Sequence, residues 1–332
     1  MNRPISVAFD SDIFSKQVNG GISTHFERIL RLLASNTSFS VYLFCSSRNL
    51  ANAQNNEKFQ AILASSHVRL TIYSDYIDFL RKIRFFKIAI FHATYLSLLP
   101  LFSFTKSVYT VHDFGQERFI ANHFTHKRLL TIFFRILCFN FCSSLCYVSS
   151  FAIRELHSFF LLYPLAAFKP SALIPNSAGT VTKLPLDLAH YSDLLGSYTS
   201  YSSRFQCIQE PVHLLHVGRR LFNKDFETLL DSLTILCSTP QYARLFSLTI
   251  AGGENLSSSE LKRLDSLNID YYYTADPSDS ALLGLYDTCD LLVSPSYYEG
   301  FSIPPLEALA NSRLFLAVDL PPIRDYVHSY PL

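Results

Sequence analysis

Two glutamates, Glu299 and Glu307, bracket an apolar, proline-containing run in "SPSYYEGFSIPPLEALA", residues 294–310. Acids are otherwise sparse, since 17% of the 332 residues are charged and 49% are hydrophobic. "DLLVS" before the run reads as a strand, residues 295–300 as a loop, and Pro304 or Pro305 as a first-turn residue of a following helix. That reading places Glu299 on the loop and Glu307 in the first turn, where it can compensate the helix dipole for about 0.3–1 kcal/mol. No such role accounts for Glu299.

Three further groups have types and spacing suited to an anionic ligand. In "QVNGGIST", Gly20 and Gly21 open a helix, so backbone N–H groups can approach a phosphate closely; a plain turn is the competing reading. In "HVGRRLFNKDFETLLDSL" a strand ends at Gly218 and is followed by Arg219, Arg220 and Lys224. Converging cations of this kind suit a diphosphate, Arg as a bidentate fork and Lys as a point charge. In "VYTVHDF", His112 and Asp113 follow a strand, and a histidine there can bond a hydroxyl or a developing charge. Asp10 and Asp12 of "DSD" invite a metal reading, but the cations already balance a diphosphate, and no metal site is assigned. Cys138, Cys142 and Cys146 lack a histidine or CxxC to complete a ligand set and read as core thiols.

The elements that must position these residues follow from alternating β-rich runs and helical periodicity. Seven runs begin at 5, 40, 68, 88, 107, 145 and 171, and five more at 212, 245, 269, 290 and 314. Alternation means parallel sheets covered on both faces, and the Ser- and Tyr-rich stretch between the sets reads as a connection. The expected class is α/β: two tandem doubly wound Rossmann-like domains facing a cleft, at 1–183 and 211–332 with a linker at 184–210. The second is short at its carboxyl end.

A formal charge of +1 argues against a nucleic-acid binder. "MNRPISVAFDSD" carries no signal-peptide pattern, and no run is long and uncharged enough to span a membrane, so a cytoplasmic protein is expected. "FLRKIRFFK" (79–87) and "HKRLLTIFFRILCFNF" (126–141) mix cations with apolar residues, which suits either peripheral contact with the inner face of the membrane or helices packed on a core.

In order and spacing these motifs resemble the retaining glycosyltransferases of family 4, with the GT-B fold. "EGFSIPPLEALA" is similar to that family's E-x7-E motif; "VGRRLFNK", "GGI", "TVHD", "YVSSFAIREL" and "LIPNS" match further segments. The resemblance implies sugar transfer from a nucleotide-sugar donor (UDP, GDP, dTDP or ADP sugar) to a glycan or lipid-linked glycan, with mannosyl transfer in surface polysaccharide or lipopolysaccharide synthesis as one instance. No cofactor or metal is implied. Glu307 would bind the ribose and Glu299 the transferred sugar. Arg220 or Arg219, with Lys224, would hold the diphosphate, Gly20 and Gly21 would approach it, and backbone amides around Phe301 and Ser302 would assist. His112 would lie near the sugar and, with Glu299, is a catalytic candidate. Base selection is expected around Tyr273 and Thr274. Ser302, Ser177, Asp225, Asn311 and Ser312 stand where the family favours glycine or a small turn. These departures and the short end leave two alternatives open, an impaired relic that binds nucleotide or serves as an assembly subunit, and an epimerase on a similar fold.

Overall fold

The computed structural model describes residues 3–17, 20–65, 67–121, 124–175, 211–239, 242 and 245–327. The chain divides into two compact units, Met1–Asn176 and Ser177–Leu332. The connection at 184–210, Asn176 and Ser177 of "LIPNS", and Cys207 lie outside the described residues.

The first unit is built on a seven-stranded sheet of order β3-β2-β1-β4-β5-β6-β7. Its strands are β1 Ile5–Asp10, β2 Phe39–Ser46, β3 Val68–Tyr73, β4 Ile90–Ala93, β5 Lys106–Val111, β6 Ser144–Tyr147 and β7 Ser171–Leu173. The second unit has a five-stranded sheet, β10-β9-β8-β11-β12. Here β8 is Val212–Val217, β9 Phe246–Ala251, β10 Asp270–Thr274, β11 Leu291–Ser294 and β12 Leu314–Ala317. Every β-rich run read from the sequence is one of these strands, and every pairing is parallel.

Helices supply the covering layers, and their apolar stripes explain why they pack. In the first unit the helix Gly21–Ala34 buries Phe26 and Leu30 against Phe9, Ile13 and Leu43, while Ile22, Ile29 and Leu33 pack at the margin. In the second unit the helix Phe226–Cys237 buries Phe226, Leu229, Leu230 and Leu233, as the periodicity predicts. Burying each such side chain stabilises by roughly 1.5–3 kcal/mol.

The two cation-bearing apolar segments are the helices Tyr76–Phe85 and His126–Phe141. Each buries one face (Phe79 and Ile83; Ile132, Cys138 and Phe139) and leaves aromatic residues exposed, among them Phe85, Phe133 and Phe141. Among the described residues no helix is long and apolar enough to cross a membrane. Cys138, Cys142 and Cys146 are buried, and burial pushes their thiols up to about 11, 12 and 11.

In each sheet the strand order reverses beside the opening strand, between β1 and β4 and between β8 and β11. Loops at the carboxyl ends of such strands flank a crevice where α/β sheets bind ligands.

Candidate functional site

The second unit's reversal point brings two of the expected residues together. Lys224 ends a short 3-10 turn, Phe222–Lys224, that follows β8, and Glu299 lies on the loop after β11. β8 and β11 pair directly, Leu214 opposite Leu291, so their trailing loops are neighbours. Lys224 Nζ donates to Glu299 Oε1 at 2.5 Å, both side chains mostly shielded from water. Asn223 fastens the loops further: its carbonyl accepts from the Tyr297 amide at 3.1 Å, and its Nδ2 donates to the Tyr298 carbonyl at 3.2 Å. A mobile pair of charges would need no such clamps; this pair is held in register.

The structure separates the two arginines that the sequence left interchangeable. Arg220 has its side chain buried, its Nε donating to Glu260 Oε1 at 2.8 Å and its Nη1 to the Gly252 carbonyl at 3.0 Å. Nη2 donates to the Glu254 carbonyl, and the guanidinium stacks 5.2 Å from the Tyr273 ring centroid. Most of its fork therefore organises the loop after β9. Gly252 and Gly253 there have φ of 94° and 86°, and a Cβ on Gly253 would sit 3.1 Å from the Arg219 Cα. Tyr273 is drawn into the same loop, its hydroxyl donating to the Gly253 and Glu254 carbonyls at 3.0 and 2.7 Å. Arg219, by contrast, has a largely exposed side chain, with an ion pair to the exposed Glu254 at 3.4 Å. It is the arginine available to a ligand.

Glu307 requires a correction of position. The helix runs Ile303–Ala310 and has no acid in its first turn, because the chain turns into it through Ser302, one residue before Ile303. Glu307 therefore lies beyond the first turn, buried to 5% exposure, and its Oε2 accepts from the Tyr286 hydroxyl at 3.0 Å. Simple dipole compensation does not describe it. The carboxylate and burial push the Tyr286 phenol well above its ordinary range, burial first.

Phe301 and Ser302 are held by the helix Pro321–Val327. Tyr326 packs on the Phe301 ring at 5.5 Å between centroids, and its hydroxyl donates to the Ser302 carbonyl at 3.3 Å. Pro304 and Pro305 remove two of the amides a helix start leaves free, so backbone donation there falls to Phe301, Ser302 and Ile303. Ser302 has φ 68°, Asp225 φ 50° and Ser312 φ 56°, all left-handed. These are three of the positions where the family pattern favours glycine or a small turn.

His216, on β8, is buried with its Nδ1 facing the Val293 carbonyl at 3.2 Å; burial lowers it to about 4. Tyr286, Tyr326 and Asn223 are site residues that sequence reasoning missed. Their only sequence signal is that tyrosine and asparagine can bond from a distance, which spacing does not reveal.

The first unit brings its own candidates together. Gly20 precedes the helix Gly21–Ala34, and the side chain of Gln17 folds over it, its Oε1 accepting from the Ser23 amide at 3.3 Å. The His25 ring on that helix meets His112, just after β5, edge to face at 5.3 Å. His112 Nε2 finds no hydrogen-bond partner among the described residues, and burial, then His25, keeps its pKa well below the ordinary value. Asp10, at the end of β1, accepts from the Thr94 hydroxyl and amide after β4 and is pushed up to about 7 by burial, then by Asp12. Among the described residues no three His, Cys, Asp or Glu side chains converge as metal ligands.

Residues 203–330 match the family model described as glycosyl transferases group 1. Mannosylfructose-phosphate synthase of Agrobacterium fabrum is 30% identical over 107 residues, which is 30% of this chain and 23% of that protein. The match thus spans about a quarter of that relative's length. Among solved structures, WaaG, a glycosyltransferase involved in lipopolysaccharide biosynthesis, aligns with a TM-score of 0.61 at 14% identity, covering 97% of this chain and 84% of its own. Sucrose-phosphate synthase from Thermosynechococcus elongatus aligns at 0.58 and 14%, covering 95% and 82%. The structure of "Trehalose-6-phosphate from E. coli bound with UDP-2-fluoro glucose" aligns at 0.56 and 10%, covering 98% and 86%. At such identities the structural likeness shows the fold, GT-B, and the match to the glycosyl transferases group 1 model is confined to residues 203–330, in the second unit.

Proposed function

We propose that this protein is a retaining glycosyltransferase that takes a sugar from a nucleotide-sugar donor and passes it to a glycan or lipid-linked glycan. The observation that carries the reading is the Lys224–Glu299 pair at the reversal point of the second sheet. Breaking a sugar–diphosphate bond builds positive charge on the sugar and negative charge on the leaving group. Lys224 and Arg219 are the cations suited to the leaving diphosphate, and the Phe301, Ser302 and Ile303 amides suit its remaining oxygens. Without donor, Glu299 neutralises Lys224. The diphosphate takes over that ammonium on binding, which releases the Glu299 carboxylate to the sugar hydroxyls. Glu307, anchored by Tyr286, is assigned to the ribose; within the first unit, Gly20 and Gly21 suit a phosphate and His112 a sugar hydroxyl. No cofactor or metal is assigned.

Thermal-shift screening of the full chain against UDP, GDP, dTDP and ADP sugars identifies the donor as the one that raises Tm. With that donor, Lys224→Ala and Glu307→Ala should each cut turnover by roughly 10²–10³-fold. Glu299→Gln should abolish transfer while tightening the nucleoside diphosphate alone, because Lys224 loses its competitor. Unchanged kinetics in both alanine variants would sink the reading. The strained Asp225, Ser302 and Ser312 and the committed Arg220 favour a second reading, an impaired relic serving as a nucleotide-binding or assembly subunit. A flat nucleotide panel is its signature.

A further inference from the structure

His112 follows β5 directly, and ring contacts with His25 and Phe26, at 5.3 and 6.0 Å between centroids, locate one side of it. The chain beyond must fix the rest. That chain is Asp113, Phe114 and the single helical turn Gly115–Arg118, which is too short to be stable alone.

Arginines and their carboxylate partners hold the turn. Arg135, midway along the helix His126–Phe141, donates from Nη1 to the Asp113 carbonyl at 2.9 Å and to Glu117 Oε2 at 2.8 Å. The Tyr163 hydroxyl donates to the other Glu117 oxygen, Oε1. The group is shielded from water, the Arg135 side chain being 13% exposed, that of Glu117 1%, and Tyr163 fully buried. Phe114 stacks on Phe159 and meets Tyr163 edge to face, both at 5.5 Å, with the Arg135 guanidinium 6.0 Å from its ring centroid. Further along the turn, Arg128 donates to Gln116 Oε1 at 3.0 Å and to the Phe119 carbonyl at 2.8 Å. Arg118 Nε donates to Glu155 Oε1, on the helix Ser150–Ser158, at 2.8 Å.

Stability alone does not explain a buried Arg135–Glu117 pair, because desolvation offsets much of its attraction and an apolar pair could fill the same space. What the pair adds is direction: a donor aimed at the Asp113 carbonyl, one residue past His112, and a cation close enough to act on that ring. Burial first, then His25, then Arg135 and His92 hold His112 well below its ordinary value. A neutral imidazole keeps a lone pair with which to accept a hydroxyl proton.

We propose that Arg135 is a positioning residue for His112, anchoring the Asp113 carbonyl, fixing the angle of the ring and facing it with a permanent positive charge. The proposal rests on the reading of His112 as a partner of a sugar hydroxyl. Its test follows the His112 ring by NMR titration of the full chain, the signal being identified by its loss in His112→Gln. The other groups around the ring are His25 on the helix Gly21–Ala34, His92 on β4, and Asp113, whose Oδ1 accepts from the Gly115 amide at 2.9 Å.

Arg135→Met leaves Glu117 buried without its cation and should lower Tm. The double variant Glu117→Gln, Arg135→Met removes both charges and should recover most of that loss. In both, the His112 midpoint should move up, because the cation facing the ring is gone; in Arg135→Lys, which keeps the charge, it should stay near the native position. With the donor found by the nucleotide panel, kcat of the double variant should remain about 10–10²-fold low, with KM for the nucleotide sugar unchanged. Arg135→Lys should recover most of kcat. Equal His112 midpoints in the native chain and the double variant would overturn the proposal, as would a double variant whose kcat returns together with its Tm, since the pair would then serve the fold alone. The titration needs no donor, so a flat nucleotide panel would sink the transferase reading and leave the midpoints to decide what Arg135 does to His112.

Discussion

Ser302 combines two local costs. A left-handed backbone costs a residue with a Cβ roughly 1–2 kcal/mol, and its buried Oγ finds no hydrogen-bond partner among the described residues. An unsatisfied buried hydroxyl costs about 1–3 kcal/mol. Ser302→Gly removes both at the expense of about 0.5–1 kcal/mol of extra freedom in the unfolded chain, whereas Ser302→Ala removes only the hydroxyl. Melting should rank glycine above alanine above the native residue, and a glycine variant no more stable than alanine would refute the strain. Asp225 should gain less from glycine, because its carboxylate accepts from the Thr228 hydroxyl at 2.8 Å and aspartate tolerates this conformation better. These positions were legible in sequence because only glycine is easy at positive φ, so a departure from glycine flags the backbone. Arg219 and Arg220 were not separable, since adjacent residues on a loop differ only in which way the loop faces.

Elements were legible where composition forces them. β-branched and aromatic runs become strands of a parallel sheet, and all twelve runs did, β3, β7, β10 and β12 at the sheet edges and the other eight inside. The helix start at Ile303 was less so: two prolines and a left-handed serine are each compatible with neighbouring starts, and the difference moved Glu307 out of the first turn. The helix Ser258–Ser266 shows how one element serves the site. Its capping box joins Ser257 and Glu260, and Glu260 also accepts from Arg220 at 2.8 Å. Ser257→Ala should cost about 1 kcal/mol. Glu260→Ala should cost more, because it also leaves the buried Arg220 guanidinium short of its carboxylate. In chemical denaturation, Arg220→Ala and Glu260→Ala should be non-additive by about 0.5–3 kcal/mol. Arg219→Ala should leave stability unchanged and weaken nucleotide binding. Additive effects, or loss of binding from Arg220→Ala without loss of stability, would reverse the roles given to the two arginines.

At the scale of the whole chain, a net charge near zero says nothing about how stability depends on pH, because that depends on which groups are buried. Two buried groups, one in each unit, pull in opposite directions. Asp10 is raised to about 7 by burial, so its contribution is full below about pH 4, is lost as pH climbs to about 7, and stays lost above it. His216 is lowered to about 4 by burial, so its contribution is full above about pH 6.5 and is lost as pH falls toward 4. Each pKa unit corresponds to about 1.4 kcal/mol, which makes either effect worth a few kcal/mol. The Tm of Asp10→Asn relative to the native chain should therefore rise between pH 4 and 7 and level off above. His216→Asn loses the Val293 contact at every pH, but its deficit should shrink as the medium is acidified from pH 6.5 to 4. Opposite slopes for the two variants across one buffer series are the expected result. Parallel profiles would mean that one of these groups is solvated in the folded protein, and with Asp10 this would remove the neutral acid that now joins β1 to Thr94 at the first unit's reversal point.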